Sequence, residues 1–311
     1  LLNIRYSPIL DDKNKDKTQQ KILLVTKPRS DISLRFDRTA FQNETLLDDL
    51  DIHFQPIVDL VGGSRILGFE ALGRKTGAHG ITSIGPLLKD IHDAGLRPEL
   101  EMRALQAARN FIRLCDENLD HAHASNVYVT VNLHHLTLAQ PKLLQGIENQ
   151  ILDYPSAQPR IRFEILEHPF PRRAHGKIME NIRALSAEGY KLYLDDFGDH
   201  AGIDEDRLED TKQVVTGIKL SSSLWQRDEE DRHRFLDYLA SPDLQGKIIV
   251  LEGIETDEQI AKTMQMPGEY GFTKVLAQGW HPLLGASMSP ESAVELLGQL
   301  QKKPQENALE K

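Results

Sequence analysis

From about residue 46 onward the 311-residue chain alternates short apolar segments with longer stretches whose apolar residues recur at helical spacing. Segments 52–59, 65–72, 126–133, 160–166, 191–194, 214–220, 247–251 and 274–278 are rich in Val, Ile, Leu, Phe and Tyr and are bounded by turn residues, which predicts strands. Between them, 98–115, 138–152, 172–188, 222–239, 257–264 and 290–302 read as amphipathic helices. In the first of these, Leu100, Met102, Leu105, Ala108 and Phe111 supply the apolar stripe. Ser289-Pro290-Glu291 is a helix start with Pro in the first turn. Strands returned by helices in this way predict a (β/α)8 barrel, a single large α/β domain over residues 46–303. Residues 1–45 read as an N-terminal extension or linker, or the tail of an upstream domain, with a short strand at 22–25; residues 304–311 read as a C-terminal tail.

Polar residues then stand out by position. Glu70, Asn132, Glu164 with Glu167, Asp195 with Asp196, Lys219, Glu252 and Gln278 lie at or near the C-terminal ends of successive predicted strands. A barrel gathers those ends on one face, where barrel enzymes build their sites. Any one such carboxylate has an ordinary alternative as a helix cap or a solvated loop residue. The run of strand ends together reads as an oxygen-rich site suited to Mg²⁺ or Mn²⁺ rather than zinc or copper.

Composition narrows the partners. The net charge of −10 makes duplex nucleic acid a poor partner, although a small anion remains compatible once metal ions offset the carboxylates. A single cysteine, Cys115, excludes an intramolecular disulfide and a thiolate zinc cage. The twelve histidines, including His134, His135, His168 and His200, form no trusted metal spacing and are assigned surface or loop roles. The sequence has no run of apolar residues long enough for a membrane span. It begins at Leu1 and reads as a fragment of a longer chain; a cytoplasmic location is expected for this domain, with any membrane tether lying outside it.

At these residues the sequence resembles the EAL domain family of cyclic di-GMP phosphodiesterases. The motifs stand here as Phe54-Gln55-Pro56-Ile57-Val58, Phe69-Glu70-Ala71-Leu72-Gly73-Arg74, Val131-Asn132-Leu133 and Glu164-Ile165-Leu166-Glu167. They continue as Leu194-Asp195-Asp196-Phe197-Gly198, Ile218-Lys219, Leu251-Glu252-Gly253-Ile254-Glu255-Thr256 and Ala277-Gln278-Gly279-Trp280. The resemblance covers roughly residues 50–300 and implies a modified TIM barrel in which one strand, here 52–59, runs antiparallel. It implies a two-metal site, with Mg²⁺ or Mn²⁺, that opens cyclic di-GMP to linear 5′-pGpG. Carried over, Glu70, Asn132, Glu164 and Asp195 ligate one metal, and Asp195 bridges to a second that Asp196 also holds. Lys219 and Glu252 serve catalysis, Arg74 and Gln278 contact substrate, and Glu167 and Glu255 support the loop after the fifth strand. A homodimer and an upstream regulatory domain are implied as well. The alternative activities are a cyclic di-GMP receptor and a protein-interaction module.

Three places depart from the family pattern. His200 stands where the loop after the acidic pair carries a second Gly, and Ser221 stands where an Asp follows the lysine. Beyond Gln278-Gly279 the family's Tyr-Leu-Phe-Ser-Lys-Pro is replaced by Trp280-His281-Pro282-Leu283-Leu284-Gly285. A positive φ at His200 would carry a backbone cost.

Overall fold

The computed structural model describes residues 45–77, 80–200 and 202–309; the expected strand at 22–25 lies outside them. Nine strands form one sheet: β1 (Leu50–Asp59), β2 (Arg65–Gly77), β3 (Gly80–Ser83), β4 (Tyr128–Leu133), β5 (Ile161–Ile165), β6 (Lys191–Phe197), β7 (Gly217–Leu220), β8 (Ile248–Ile254) and β9 (Lys274–Gly279). The order β1-β9-β8-β7-β6-β5-β4-β2 closes through a β1–β2 pairing, giving an eight-stranded barrel. β3 is added to the outer length of β2 as a hairpin arm, which the alternation of segments does not reveal.

β1 runs antiparallel to both of its neighbours, and the other barrel strands are mutually parallel. The cause is local. Only Leu60, Val61, Gly62, Gly63 and Ser64 separate β1 from β2, and so short a link can turn a hairpin but cannot carry a crossover helix. Asp59 accepts a hydrogen bond from Gly62 N at 2.7 Å and fixes the turn.

Eight helices follow the described strands: α1 (Leu88–Asp93), α2 (Arg97–Asn118), α3 (Leu143–Ile151), α4 (His175–Ala187), α5 (Ile203–Thr211), α6 (Glu229–Leu239), α7 (Asp257–Tyr270) and α8 (Pro290–Leu309), with single turns at His121–Ala124 and His135–Leu138. Outward strand residues such as Val129, Val131, Leu133, Phe163 and Ile165 pack with Leu105, Phe111, Ile147 and Ile178 of the helices in one continuous core. The helix expected over 222–239 is interrupted. Ser222–Gln226 is a 3₁₀ turn, and Asp228 accepts a bond from Asp231 N at 2.8 Å to start α6 afresh. Thr256 and Gln259 cap α7 reciprocally, and that helix runs six residues beyond the expected end at 264. α8 likewise runs on past 303, where the barrel domain was expected to end.

Inside the barrel the period of two along each strand separates a floor from a site. Tyr128, Tyr193, Val250, Leu276 and Ile57 fill the floor. The Arg162 guanidinium lies 3.3 Å above the Tyr128 ring centroid and donates to Tyr193 Oη at 2.6 Å. Two residues further along β5, β6, β7, β8 and β9 come Glu164, Asp195, Lys219, Glu252 and Gln278. Gly217 makes room for the floor: a Cβ there would stand 2.5 Å from the Tyr193 ring and 2.7 Å from Ile248 O. Gly217→Ala should therefore destabilise the protein by about 1–3 kcal/mol in denaturant unfolding, and a smaller residue at Tyr193 should recover part of the loss.

Candidate functional site

Lys219 Nζ lies at the centre of the upper layer. It is 2.7 Å from Glu252, 2.8 Å from Asp195, 2.9 Å from Glu164 and 3.3 Å from Glu70. The lysine is 1% exposed, and Glu164 is fully buried. Glu70 also accepts from Asn132 Nδ2 at 2.9 Å and from Gln278 Nε2 at 2.8 Å. The fold thus brings Glu70, Asn132, Glu164, Asp195, Lys219, Glu252 and Gln278 into one contact group.

The charges of this group do not balance, and its protonation reflects that. Burial works against the charged form of Lys219, but Asp195, Glu164, Glu252 and Glu70 together outweigh it and raise its pKa. Burial raises Glu70 too, but Lys219, Asn132 and Gln278 reverse the sign and hold it below the usual carboxylate range. Glu164 is pushed well up by burial and by the charge of Glu70, and Glu252 well up by burial against the pull of Lys219. Asp195 is pushed up to about 6, mainly by burial. One ammonium offsets part of the ring's charge, and burial shifts Glu164, Glu252 and Asp195 toward their protonated forms.

A second group adjoins the first. Carboxylate oxygens of Glu167, Asp195 and Asp196 lie within 4.8 Å of one another, so Asp195 belongs to both groups. Glu167, expected behind the site, stands at ligand distance within it, and His168 Nδ1 is 3.1 Å from its carboxylate. The donor set fits a hard divalent cation on a further observation. Asn132 Oδ1, Glu164 Oε1 and Gln278 Oε1 are buried with no hydrogen-bond partner, so acceptor oxygens are left facing no donor.

The remaining expected residues fall at the rim. Arg74 lines the same cavity as Asn132, Glu167, Asp195 and Asp196. Its guanidinium is held by Ser287 Oγ, at 3.1 and 2.8 Å, and by Gly73 O at 2.9 Å. Glu255 is exposed, and its side chain makes no hydrogen bond or ion pair among the described residues. Ser221 is buried and caps the 3₁₀ turn, accepting from Ser223 N at 3.3 Å. Trp280 is 60% exposed.

The loop after β6 is held by residues the sequence reading did not single out. Asp204 accepts from Gly198 N and His200 N, each at 2.9 Å. Arg207, fully buried, donates to Asp204 at 3.0 Å, to Ile165 O at 2.8 Å and to Asp195 O at 3.2 Å. In sequence these two look like part of the charged face of a solvated helix. His200 does not take the positive φ; Gly198 and Gly202 do, and Asp196 is left-handed at φ 47°. A non-glycine residue in that conformation next to a ligand group is strain stored at the site. The histidines also depart from the surface role assigned to them, since His134 is fully buried and packs with His92, His135 and His168.

The barrel with one reversed strand and the buried carboxylate ring at the strand ends define an α/β barrel with its candidate site at the face where such barrels do chemistry. Within that class the chain belongs to the EAL domain family, whose model matches residues 38–272. No curated protein matches the sequence. Among solved structures it is similar to the phosphodiesterase PaMucR in its c-di-GMP complex, with a TM-score of 0.67 and 23% identity over 82% of this chain and 99% of that one. It is similar also to the FimX EAL domain from Pseudomonas aeruginosa bound to c-di-GMP, at TM-score 0.62 and 20% identity, covering 82% and 97%. An EAL domain protein from Listeria monocytogenes matches with TM-score 0.62 and 19% identity, covering 84% and 97%.

Two outcomes follow from the ring. Lys219→Met leaves buried carboxylates without their cation and should lower the stability of the metal-free protein by on the order of 3 kcal/mol. Added Mg²⁺ should then raise its Tm by more than it raises that of the wild type. Because protons and cations compete for Asp195, Mg²⁺ affinity measured by calorimetry should fall as pH drops through about 6 and be retained at pH 8.

Proposed function

We propose that this chain is a metal-dependent phosphodiesterase that opens cyclic di-GMP to linear 5′-pGpG. The observation that carries the reading is the single contact group at the barrel face: four carboxylates around Lys219, with Asn132 and Glu164 oxygens left without donors. Glu70, Asn132, Glu164, Asp195 and Asp196 would hold a pair of Mg²⁺ or Mn²⁺ ions, with Glu167 close enough to join them. When bound, such ions supply a water of lowered pKa and an electrophilic grip on the scissile phosphate.

The chain's own residues supply the rest. Glu252, ion-paired with Lys219 at 2.7 Å, would take the proton of the attacking water once bound cations keep its carboxylate ionised. The Lys219 ammonium would orient that water and offset the negative charge carried by the phosphoryl and departing 3′ oxygens. Gln278 holds the Glu70 carboxylate in place. Arg74, pinned by Ser287, presents its charge to a phosphate at the rim. The two similar structures described with c-di-GMP support the ligand. The Glu255 carboxylate, by its exposure, is left to a role at the surface. A homodimer and an upstream regulatory domain belong to the same reading, and light scattering of the purified chain tests the first.

A receptor reading rests on one observation: Ser221 spends its side chain on capping a turn and gives the site no further carboxylate. Chromatography of cyclic di-GMP after incubation with the protein and Mg²⁺ or Mn²⁺ decides. A metal-dependent pGpG peak is expected, abolished in Glu70→Ala and in Asp195→Ala. Glu167→Ala should shift the metal titration more than the saturated rate. Intact ligand that nevertheless binds would establish the receptor, and absence of binding would leave an interaction module.

A further inference from the structure

The cavity that holds the metal-ligand candidates is lined by a second arginine, Arg97, as well as Arg74. Arg97 is 8% exposed. Its Nε is buried without a hydrogen-bond partner, and no ion pair or hydrogen bond from its guanidinium occurs among the described residues. Glu101 and Glu167 act on this charge from a distance, but neither pairs with the guanidinium, which leaves it free to meet an anion that enters the cavity.

The surrounding polar groups are engaged elsewhere. His134 donates its backbone N–H to Glu101, at 3.0 and 3.1 Å. Burial pushes the Glu101 carboxyl up to about 8, against the pull of Thr137, His134 and Arg97. His134 accepts from Leu136 N through Nδ1 at 3.2 Å, which puts its proton on Nε2, and Nε2 has no partner. Glu167, the ionised carboxylate nearby, is engaged by His168 at 3.1 Å and faces Asp195 and Asp196. Arg97 also opens α2, a 22-residue helix whose N-terminus adds partial positive charge.

We propose that Arg97 is a second phosphate-binding residue of this site, which grips the phosphodiester of the cyclic dinucleotide that is not being cleaved. The proposal rests on the cyclic di-GMP reading. A cyclic dinucleotide carries two phosphates on opposite sides of one ring, and the metal-ligand group with Arg74 attends to one of them. The planar guanidinium offers the other a two-pronged contact that a lysine cannot reproduce.

Steady-state kinetics with Mg²⁺ on the full chain tests it. Arg97→Gln should raise KM for cyclic di-GMP about tenfold or more and leave kcat within about threefold, since hydrogen bonds to a charged group lost in binding weaken affinity on that scale. Arg97→Lys should fall between the two. In a parallel arm, inorganic phosphate is titrated into chelator-treated protein. Saturable uptake is expected in the wild type, but at least tenfold weaker in Arg97→Gln. A wild-type Tm for Arg97→Gln removes misfolding as the cause. Unchanged KM together with unchanged phosphate uptake would overturn the assignment and leave Arg97 merely hydrated. If the wild type neither binds nor opens cyclic di-GMP, the parent reading fails, and the phosphate arm still decides. Uptake lost in Arg97→Gln keeps the subsite for another phosphate ester, and equal uptake in both proteins removes it.

Discussion

One ammonium among four carboxylates organises this molecule. Burying a carboxylate in a dry barrel is prohibitive on its own, and burying four is worse. Lys219 makes the arrangement tolerable by touching all of them at once, while burial raises the pKa of Glu164 and Glu252 and eases their charge. A resident cation holds the ring together from its centre. The same lysine cannot satisfy every oxygen, and the orphaned acceptors on Asn132 and Glu164 mark what it leaves undone.

The strand periodicity that places this ring also supports it from below. Each ligand candidate on β5 to β9 sits two residues above a floor residue, so the same alternation builds an apolar plug of tyrosines and aliphatics and a polar ring over it. The plug closes the far end of the barrel to water, which strengthens every electrostatic contact in the ring. Around this rigid stack only the loop after β6 needs separate bracing. Arg207 provides it by tying the carbonyls of two adjacent strands to the aspartate that holds the loop.

Much of this was legible in the sequence, because strand-end residues are read by position and position survives folding. All eight barrel strands were found, and the candidates from Glu70 to Gln278 came together as their spacing required. The reversed strand came from family resemblance, yet the five residues between β1 and β2 carry the physical signal, since no helix fits in so short a link. The break at Asp228 was hidden because an unbroken apolar stripe masks a capping residue inside it. Arg207 and Asp204 were invisible for a different reason: a buried ion pair and a solvated one look alike in sequence. His134 was assigned to the surface because a histidine pair after a strand gives no hint that one ring points inward.

The arm formed by β2 and β3 has one more consequence. Glu70 and Arg74 lie on one continuous strand four residues apart, on the same face, which sets their Cα atoms about 13 Å apart. At Arg74 that strand is paired on both sides, to Asp51 and to Ser83, and the guanidinium is tethered to Ser287. The spacing of these two residues is therefore set by the sheet, and Arg74 can shift relative to Glu70 only if the whole arm bends with it.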